Sequence, residues 1–284
     1  MLRTYFFIPA SKSRFIDKMN SIDADEFVFD FEDAIAESEV ESAFENIKKL
    51  EDASKHWVRP RLFNKNGQIN NKQLEVLFDL GFTRFVLPKI STEQELHDIY
   101  NIFVYYEVKD PQWILLLESP LALCNIPSLF TGQEYPIKGI SLGAQDYAAE
   151  VGMCFSNERI LWARNLVLNA AHAYGFEPID IASMTIQDIQ GFENETIEGF
   201  KMGYTAKIVL HPSQLKVIKN LKYFSDIEID HALRIAEQID FSKLNEFSVI
   251  TVDGQLYEKP HLSRIRRIIE YVENRNISLE QNPF

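Results

Sequence analysis

Apolar and polar positions change rhythm along the chain in a regular order. Extended apolar runs at 4–9, 26–32, 57–63, 83–89, 112–118, 139–146, 178–183 and 206–211 read as strands. Between them lie segments of helical period, at 11–22, 37–51, 71–80, 92–107, 120–130, 157–174, 190–202 and 212–221. Strands that alternate with helices imply a parallel sheet. Eight such units in 284 residues predict a closed (β/α)8 TIM barrel. An open doubly wound sheet is the competing arrangement, but no Gly-x-Gly-x-x-Gly follows the first strand to support it. Two further helices are predicted near 230–238 and 260–274. The expected organisation is therefore a barrel domain at 1–224 and a C-terminal helical extension at 225–284.

The phase of each strand says which side chains share a face. In the run Glu26-Phe-Val-Phe-Asp-Phe-Glu-Asp33, alternation puts Val28, Asp30 and Glu32 on one face and Phe27, Phe29 and Phe31 on the other. The phenylalanines want an apolar layer, while the carboxylates at the carboxyl end want water, a cation or a proton to move. That is the layout of a barrel active site. The alternative is that Glu32 and Asp33 open a surface loop and cap a helix. Trp57, Arg59, Arg61 and Phe63 share a face of the third strand. Arginines there either form a fork for a carboxylate at the barrel mouth or lie solvated on an edge. Lys89 faces the mouth or belongs to a turn.

Trp113-Ile-Leu-Leu-Leu-Glu118 runs four aliphatics into one carboxylate, just before Ser119-Pro120 starts a helix. The next strand, Gly139-Ile-Ser-Leu-Gly-Ala-Gln-Asp146, again ends in a carboxylate. Consecutive barrel strands are neighbours, so Glu118 and Asp146 are expected close together. A pair of carboxylates with room for water and substrate oxygens suits Mg²⁺; a helix cap is the other role open to Asp146. Neither His nor Cys clusters nearby, which argues against zinc or a softer metal. His211 ends the last barrel strand as a general base or as a hydrogen-bonded structural group.

Composition narrows the classes. The net charge of −13 argues against a nucleic-acid binder, since phosphate contacts need a basic face. It leaves room for an anionic small molecule met by a few local arginines. No run approaches a membrane span, and Tyr5-Phe-Phe-Ile-Pro9 is too short for a signal-peptide core, so a cytoplasmic protein is expected. Cys124 and Cys154 lie in apolar stretches and are expected as buried free thiols. There is no nucleophile elbow, phosphate-loop lysine or Cys–His signature, which disfavours phosphoryl transfer and covalent acyl transfer.

Seven motifs in order resemble the citrate lyase β-subunit-like family, within the pyruvate-type aldolase barrels. They are Phe6-Phe-Ile-Pro-Ala-Ser-Lys-Ser-Arg-Phe15, Asp30-Phe-Glu-Asp-Ala-Ile35, Val86-Leu-Pro-Lys89, Leu117-Glu-Ser119, Leu142-Gly-Ala-Gln-Asp146, His211-Pro-Ser-Gln214 and Val252-Asp-Gly-Gln-Leu-Tyr-Glu-Lys-Pro260. The resemblance implies a Mg²⁺-dependent carbon–carbon lyase that cleaves a short β-hydroxyacyl-CoA, of malyl, citramalyl or citryl type, into an acyl-CoA and an oxo acid. On that reading Glu118 and Asp146 bind the metal, and Glu32 and Asp33 hold metal-bound waters. Arg61, with Arg59 as alternate, binds the oxo-acid fragment, and Lys12 and Arg14 meet coenzyme A phosphates. Glu258 stands where the family carries a catalytic aspartate on a C-terminal segment, often from a neighbouring subunit, and a homotrimer is implied. The chain departs from the family pattern at Ala10 (usually Gly), Gln145 (usually Glu) and Glu258 (usually Asp). Two other readings follow from the same resemblance. One is a citrate lyase β subunit acting on an acyl-carrier-protein thioester, and the other is a catalytically weakened acyl-CoA-binding homologue.

Overall fold

The computed structural model describes residues 2–132, 135–239, 249–252 and 254–275. The chain divides into two compact units, Leu2–Leu221 and Lys222–Phe284. In the first, strands β1 (Arg3–Pro9), β2 (Glu26–Asp30), β3 (Trp57–Arg59), β4 (Arg84–Leu87), β5 (Gln112–Leu117), β6 (Ile137–Leu142), β7 (Glu177–Asp180) and β8 (Ala206–Val209) pair in chain order. All neighbours are parallel, and β1 also pairs with β8, so the sheet closes as the hydrophobic pattern predicts.

The alternation of each strand sorts its side chains between two apolar layers. Tyr5, Phe7, Val28, Trp57, Val86, Ile114, Leu116, Ile179, Ala206 and Ile208 fill the barrel interior. Their sequence neighbours Phe29, Phe85 and Trp113 are also buried, with Phe29 against Phe82, and Phe85 and Trp113 against Phe103. Each such side chain contributes about 1.5–3 kcal/mol by leaving water.

The helices between the strands are α1 (Ser13–Asp17), α2 (Val40–Ile47), α3 (Asn71–Asp79), α4 (Glu93–Tyr105), α5 (Pro120–Cys124), α6 (Ile126–Phe130), α7 (Ala144–Glu150), α8 (Asn157–Tyr174), α9 (Ile189–Met202) and α10 (Pro212–Asn220). Their starts are written locally. Thr92 and Glu95 form a capping box on α4, Ser119 caps α5 with Pro120 in its first turn, and Ser156 caps α8. His211 caps α10 through Nδ1, which receives the Ser213 N–H at 3.2 Å.

Four polar side chains interrupt the apolar layer outside β7 and β8. Arg164 of α8 donates from Nε to Asp180 Oδ1 at 2.8 Å and from Nη2 to Asp180 Oδ2 at 2.7 Å. Lys207 Nζ donates to Glu195 of α9 at 2.9 Å and lies 3.5 Å from Asp180 Oδ2. All four are buried, and their charges sum to zero.

Three expectations change. Cys124 and Cys154 are exposed free thiols, not buried ones; each lies at the solvent side of a helix end or loop. β6 stops at Leu142, so Asp146 lies in the first turn of α7 rather than on a strand. An acidic residue there is favoured by the partial positive charge of the helix N-terminus. β3 stops at Arg59, before Pro60, which has no N–H to continue the ladder.

In the second unit, α11 (Asp226–Ala236) and α12 (Lys259–Arg275) pack on each other, and β9 (Val249–Val252) pairs antiparallel with β10 (Gln255–Glu258). The apolar stripe of α12 is covered within the chain: Leu262, Ile265, Ile268 and Val272 are buried, and Ile269 is half-buried. Asp253 of the tail motif lies outside the described residues. Among the described residues no helix is long and apolar enough to cross a membrane.

Candidate active site

A cavity of about 370 Å³ opens at the carboxyl end of the barrel strands. Phe7, Leu116, Leu142, Ala182, Ile208 and Leu210 supply apolar wall, and Asp30, Asp33, Arg59, Glu118, Gln145 and Asp146 supply the polar part.

Asp30 and Arg59 are register partners at the ends of β2 and β3, on the inward faces that also carry Val28 and Trp57. The guanidinium grips Asp30 with two nitrogens, Nε to Oδ1 at 2.8 Å and Nη2 to Oδ2, and its Nη1 lies 3.3 Å from Glu32 Oε2. Asp30 Oδ1 also accepts the Glu32 N–H at 2.9 Å, which turns the chain out of the strand. Burial alone works against the charge on Arg59, but Asp30, Glu32 and Glu118 reverse this and raise its pKa.

Glu118 follows β5 and is only 4 % exposed. Its Oε2 accepts the N–H of Lys89 at 3.2 Å. Burial, with Glu32 and Asp146 adding negative charge, pushes its pKa well above the ordinary glutamate value. Glu32 is raised for the same first reason, against the pull of Arg59 and Lys89. Lys89 adopts a left-handed backbone, φ 60°, and its Nζ lies 2.8 Å from Glu32 Oε1 and 3.5 Å from Asp33 Oδ1.

The structure thus brings Glu32, Asp33, Arg59, Glu118 and Asp146 into one neighbourhood. It does not bring Arg61 there. Beyond Pro60 the strand alternation lapses, and Arg61 instead donates from Nη2 to the carbonyls of Glu32 at 3.1 Å and Ile35 at 3.0 Å. The expected preference for Arg61 over Arg59 is therefore reversed by placement, because only Arg59 lines the cavity. Lys12 and Arg14 are exposed on the loop and helix after β1, with Lys12 3.2 Å from Glu39 and Arg14 over the Phe15 ring. Glu258 is exposed at the end of β10 in the second unit, where its N–H donates to His261 Nδ1 at 3.2 Å. The sequence places Asp30 on the carboxylate face of β2 and leaves Lys89 at the mouth or in a turn, but it gives neither a partner; the structure pairs Asp30 with Arg59 and Lys89 with Glu32. The shared inward face of 28–30 and 57–59 is the signal for Asp30; the left-handed turn at Lys89 has none.

The donor set can be judged against a divalent cation. Glu32 Oε2 is buried and receives no hydrogen bond, and Glu118 and Asp146 face the same cavity. Among the described residues no three Asp, Glu, His or Cys side chains converge as a full ligand set. A hard cation that takes one or two carboxylates and fills its remaining positions with water and substrate oxygens fits such a site.

A closed parallel barrel with acids and a clamped arginine at its carboxyl mouth is an enzyme layout. The chain belongs to the HpcH/HpaI aldolase/citrate lyase family, whose model matches residues 3–212. A citrate lyase subunit beta of Leuconostoc mesenteroides subsp. cremoris is 24% identical over 280 residues, 94% of this chain and 92% of that protein. A (3S)-malyl-CoA thioesterase of Cereibacter sphaeroides is 26% identical over 277 residues, covering 95% and 94%. The fold also resembles that of protein CitE from Mycobacterium tuberculosis, solved with magnesium, acetoacetate and coenzyme A. That match has a TM-score of 0.79 at 21% identity, over 96% of this chain and 98% of that one.

Proposed function

We propose that the protein is a Mg²⁺-dependent carbon–carbon lyase that cleaves a short β-hydroxyacyl-CoA into an acyl-CoA and an oxo acid. The observation that carries this reading is the meeting of Glu118, Asp146 and Arg59 in one cavity at the barrel mouth. Glu118 and Asp146 would hold the cation, which when bound supplies a Lewis acid for the oxygen of the developing oxo group. Glu32 and Asp33 flank them. Arg59, fixed by Asp30, orients the carboxylate of the oxo-acid fragment, and Lys12 and Arg14 meet the coenzyme A phosphates.

Cleavage begins when a base takes the hydroxyl proton. The carbon–carbon bond then breaks, its electron pair passes to the thioester enolate, and a proton restores the acyl-CoA. Glu258, presented by a neighbouring copy in a cytoplasmic homotrimer, is the proposed base. That part of the reading rests on the motif match alone.

Turnover of malyl-, citramalyl- and citryl-CoA, with and without acyl-carrier protein, tests the reading by its products. An acyl-CoA plus an oxo acid is the expected outcome. Free coenzyme A plus the intact hydroxy acid would mark a thioesterase instead. Cleavage only of the carrier-protein thioester would favour a citrate lyase β subunit, which the similarity to such subunits over nearly the whole chain keeps as the second reading. Loss of calorimetric Mg²⁺ binding in Glu118→Ala and Asp146→Ala is expected; unchanged affinity in both removes the metal assignment. Glu258→Gln should abolish turnover with Mg²⁺ binding intact.

A further inference from the structure

Lys89 touches three acids of the site by two different parts. Its main-chain N–H donates to Glu118 at 3.2 Å, while its ammonium sits 2.8 Å from Glu32 and 3.5 Å from Asp33. It does so from a left-handed backbone, φ 60°, which a residue with a β-carbon adopts at a cost and which marks functional segments. The turn aims both groups at the acids at once.

The charges around the cavity explain why a second cation is placed there. Asp30, Glu32, Asp33, Glu118 and Asp146 face two cations, Arg59 and Lys89. All three guanidinium nitrogens of Arg59 already lie against carboxylate oxygens of Asp30 and Glu32. Arg59 alone therefore meets an incoming anion with much of its charge already matched. The Lys89 side chain is 43% exposed, against 13% for Arg59, so of the two cations it is the more accessible from solvent.

We propose that Lys89 is a positioning residue that sets the charge balance of the cavity, weakening the hold on the divalent cation while admitting the anionic oxo acid. This rests on the metal and substrate reading given above. A positive charge beside the carboxylates repels a second cation and attracts an anion. Its removal therefore shifts the two affinities in opposite directions, which loss of a merely structural contact does not do.

The test is calorimetry on the full chain with Mg²⁺ alone, then with pyruvate at saturating Mg²⁺, for wild type, Lys89→Met and Lys89→Arg. Methionine keeps the β-carbon and the backbone cost and removes the ammonium, with its charge and its contacts to Glu32 and Asp33; arginine restores the charge. At low salt Lys89→Met should bind Mg²⁺ roughly threefold to tenfold more tightly and pyruvate more weakly by a similar factor. Lys89→Arg should return both affinities towards wild type. If both ligands weaken in Lys89→Met, or neither moves, the proposal is overturned while the site reading stands. A wild-type protein that takes up no Mg²⁺ overturns the site reading and this proposal with it. A Lys89→Met protein that fails to fold, judged by thermal melting, while Lys89→Gly folds and binds both ligands as wild type does, likewise overturns the charge role.

Discussion

Gly143 stands against Glu118 so closely that a β-carbon on it would lie 2.2 Å from Glu118 Cγ and 2.6 Å from Oε1. The glycine that ends β6 thus defines the space in which the Glu118 carboxylate sits. Gly143→Ala should displace that carboxylate by about 1 Å, a shift that can cost about 10²-fold in rate. Steady-state kinetics together with Mg²⁺ titration checks this. Wild-type values for both would mean that the neighbouring loop yields instead.

Arg59 and Arg61 should separate by function. Lysine cannot span both oxygens of Asp30 as the Arg59 guanidinium does. Arg59→Lys is expected to weaken oxo-acid binding by about tenfold or more. Arg61→Lys should instead lower thermal stability, through the lost bonds to the Glu32 and Ile35 carbonyls, with little change in affinity. The reverse pattern would return the substrate role to Arg61.

His56 supplies a pH dependence away from the site. Burial lowers its pKa from the usual 6.5, and its ring packs edge-on against Phe27 and Phe29. The unfolded chain then binds the proton more tightly than the folded one below pH 6.5. This contribution to stability is complete above 6.5 and is lost as pH falls towards and through the lowered folded value. Urea unfolding between pH 5 and 7 should show that slope in wild type and a shallower one in His56→Phe. Equal slopes would contradict it.

Breaking the buried charge set outside β7 and β8 should be costly. Asp180→Asn leaves Arg164 and Lys207 with an uncompensated positive charge, expected to cost about 3–5 kcal/mol. Equilibrium denaturation measures it, and a loss below about 1 kcal/mol would show that water or relaxation relieves the charge.

Much of this architecture is legible along the chain. The eight strands announce themselves because an inward and an outward apolar layer impose period two, and Phe29 and Val28 obey it. Legibility ends where that period stops. Alternation aligns Arg61 with Arg59 across Pro60, where no ladder continues, and it keeps Asp146 on a strand that Gly143 has already ended. The β9–β10 pair, four residues each and no shorter than β7 or β8, escapes because it stands outside the strand–helix alternation that marks the barrel strands. At Lys89 the sequence offers a turn or a place at the mouth, but the left-handed backbone that combines the two has no glycine to flag it. The partnership of Arg164, Asp180, Glu195 and Lys207 spans two helices and two strands, and no local pattern encodes it.

That neutral quartet also limits how the protein can drift. With Asp180 and Lys207 sealed from water, a lone exchange that alters the charge at any of the four positions strands its partner, so such changes must arrive in matched pairs. Arg164→Met with Asp180→Leu, for instance, should be far milder than either alone. Along this seam of the barrel wall, changes of charge are therefore confined to compensated steps, while the exposed helix faces around it are free to vary one residue at a time.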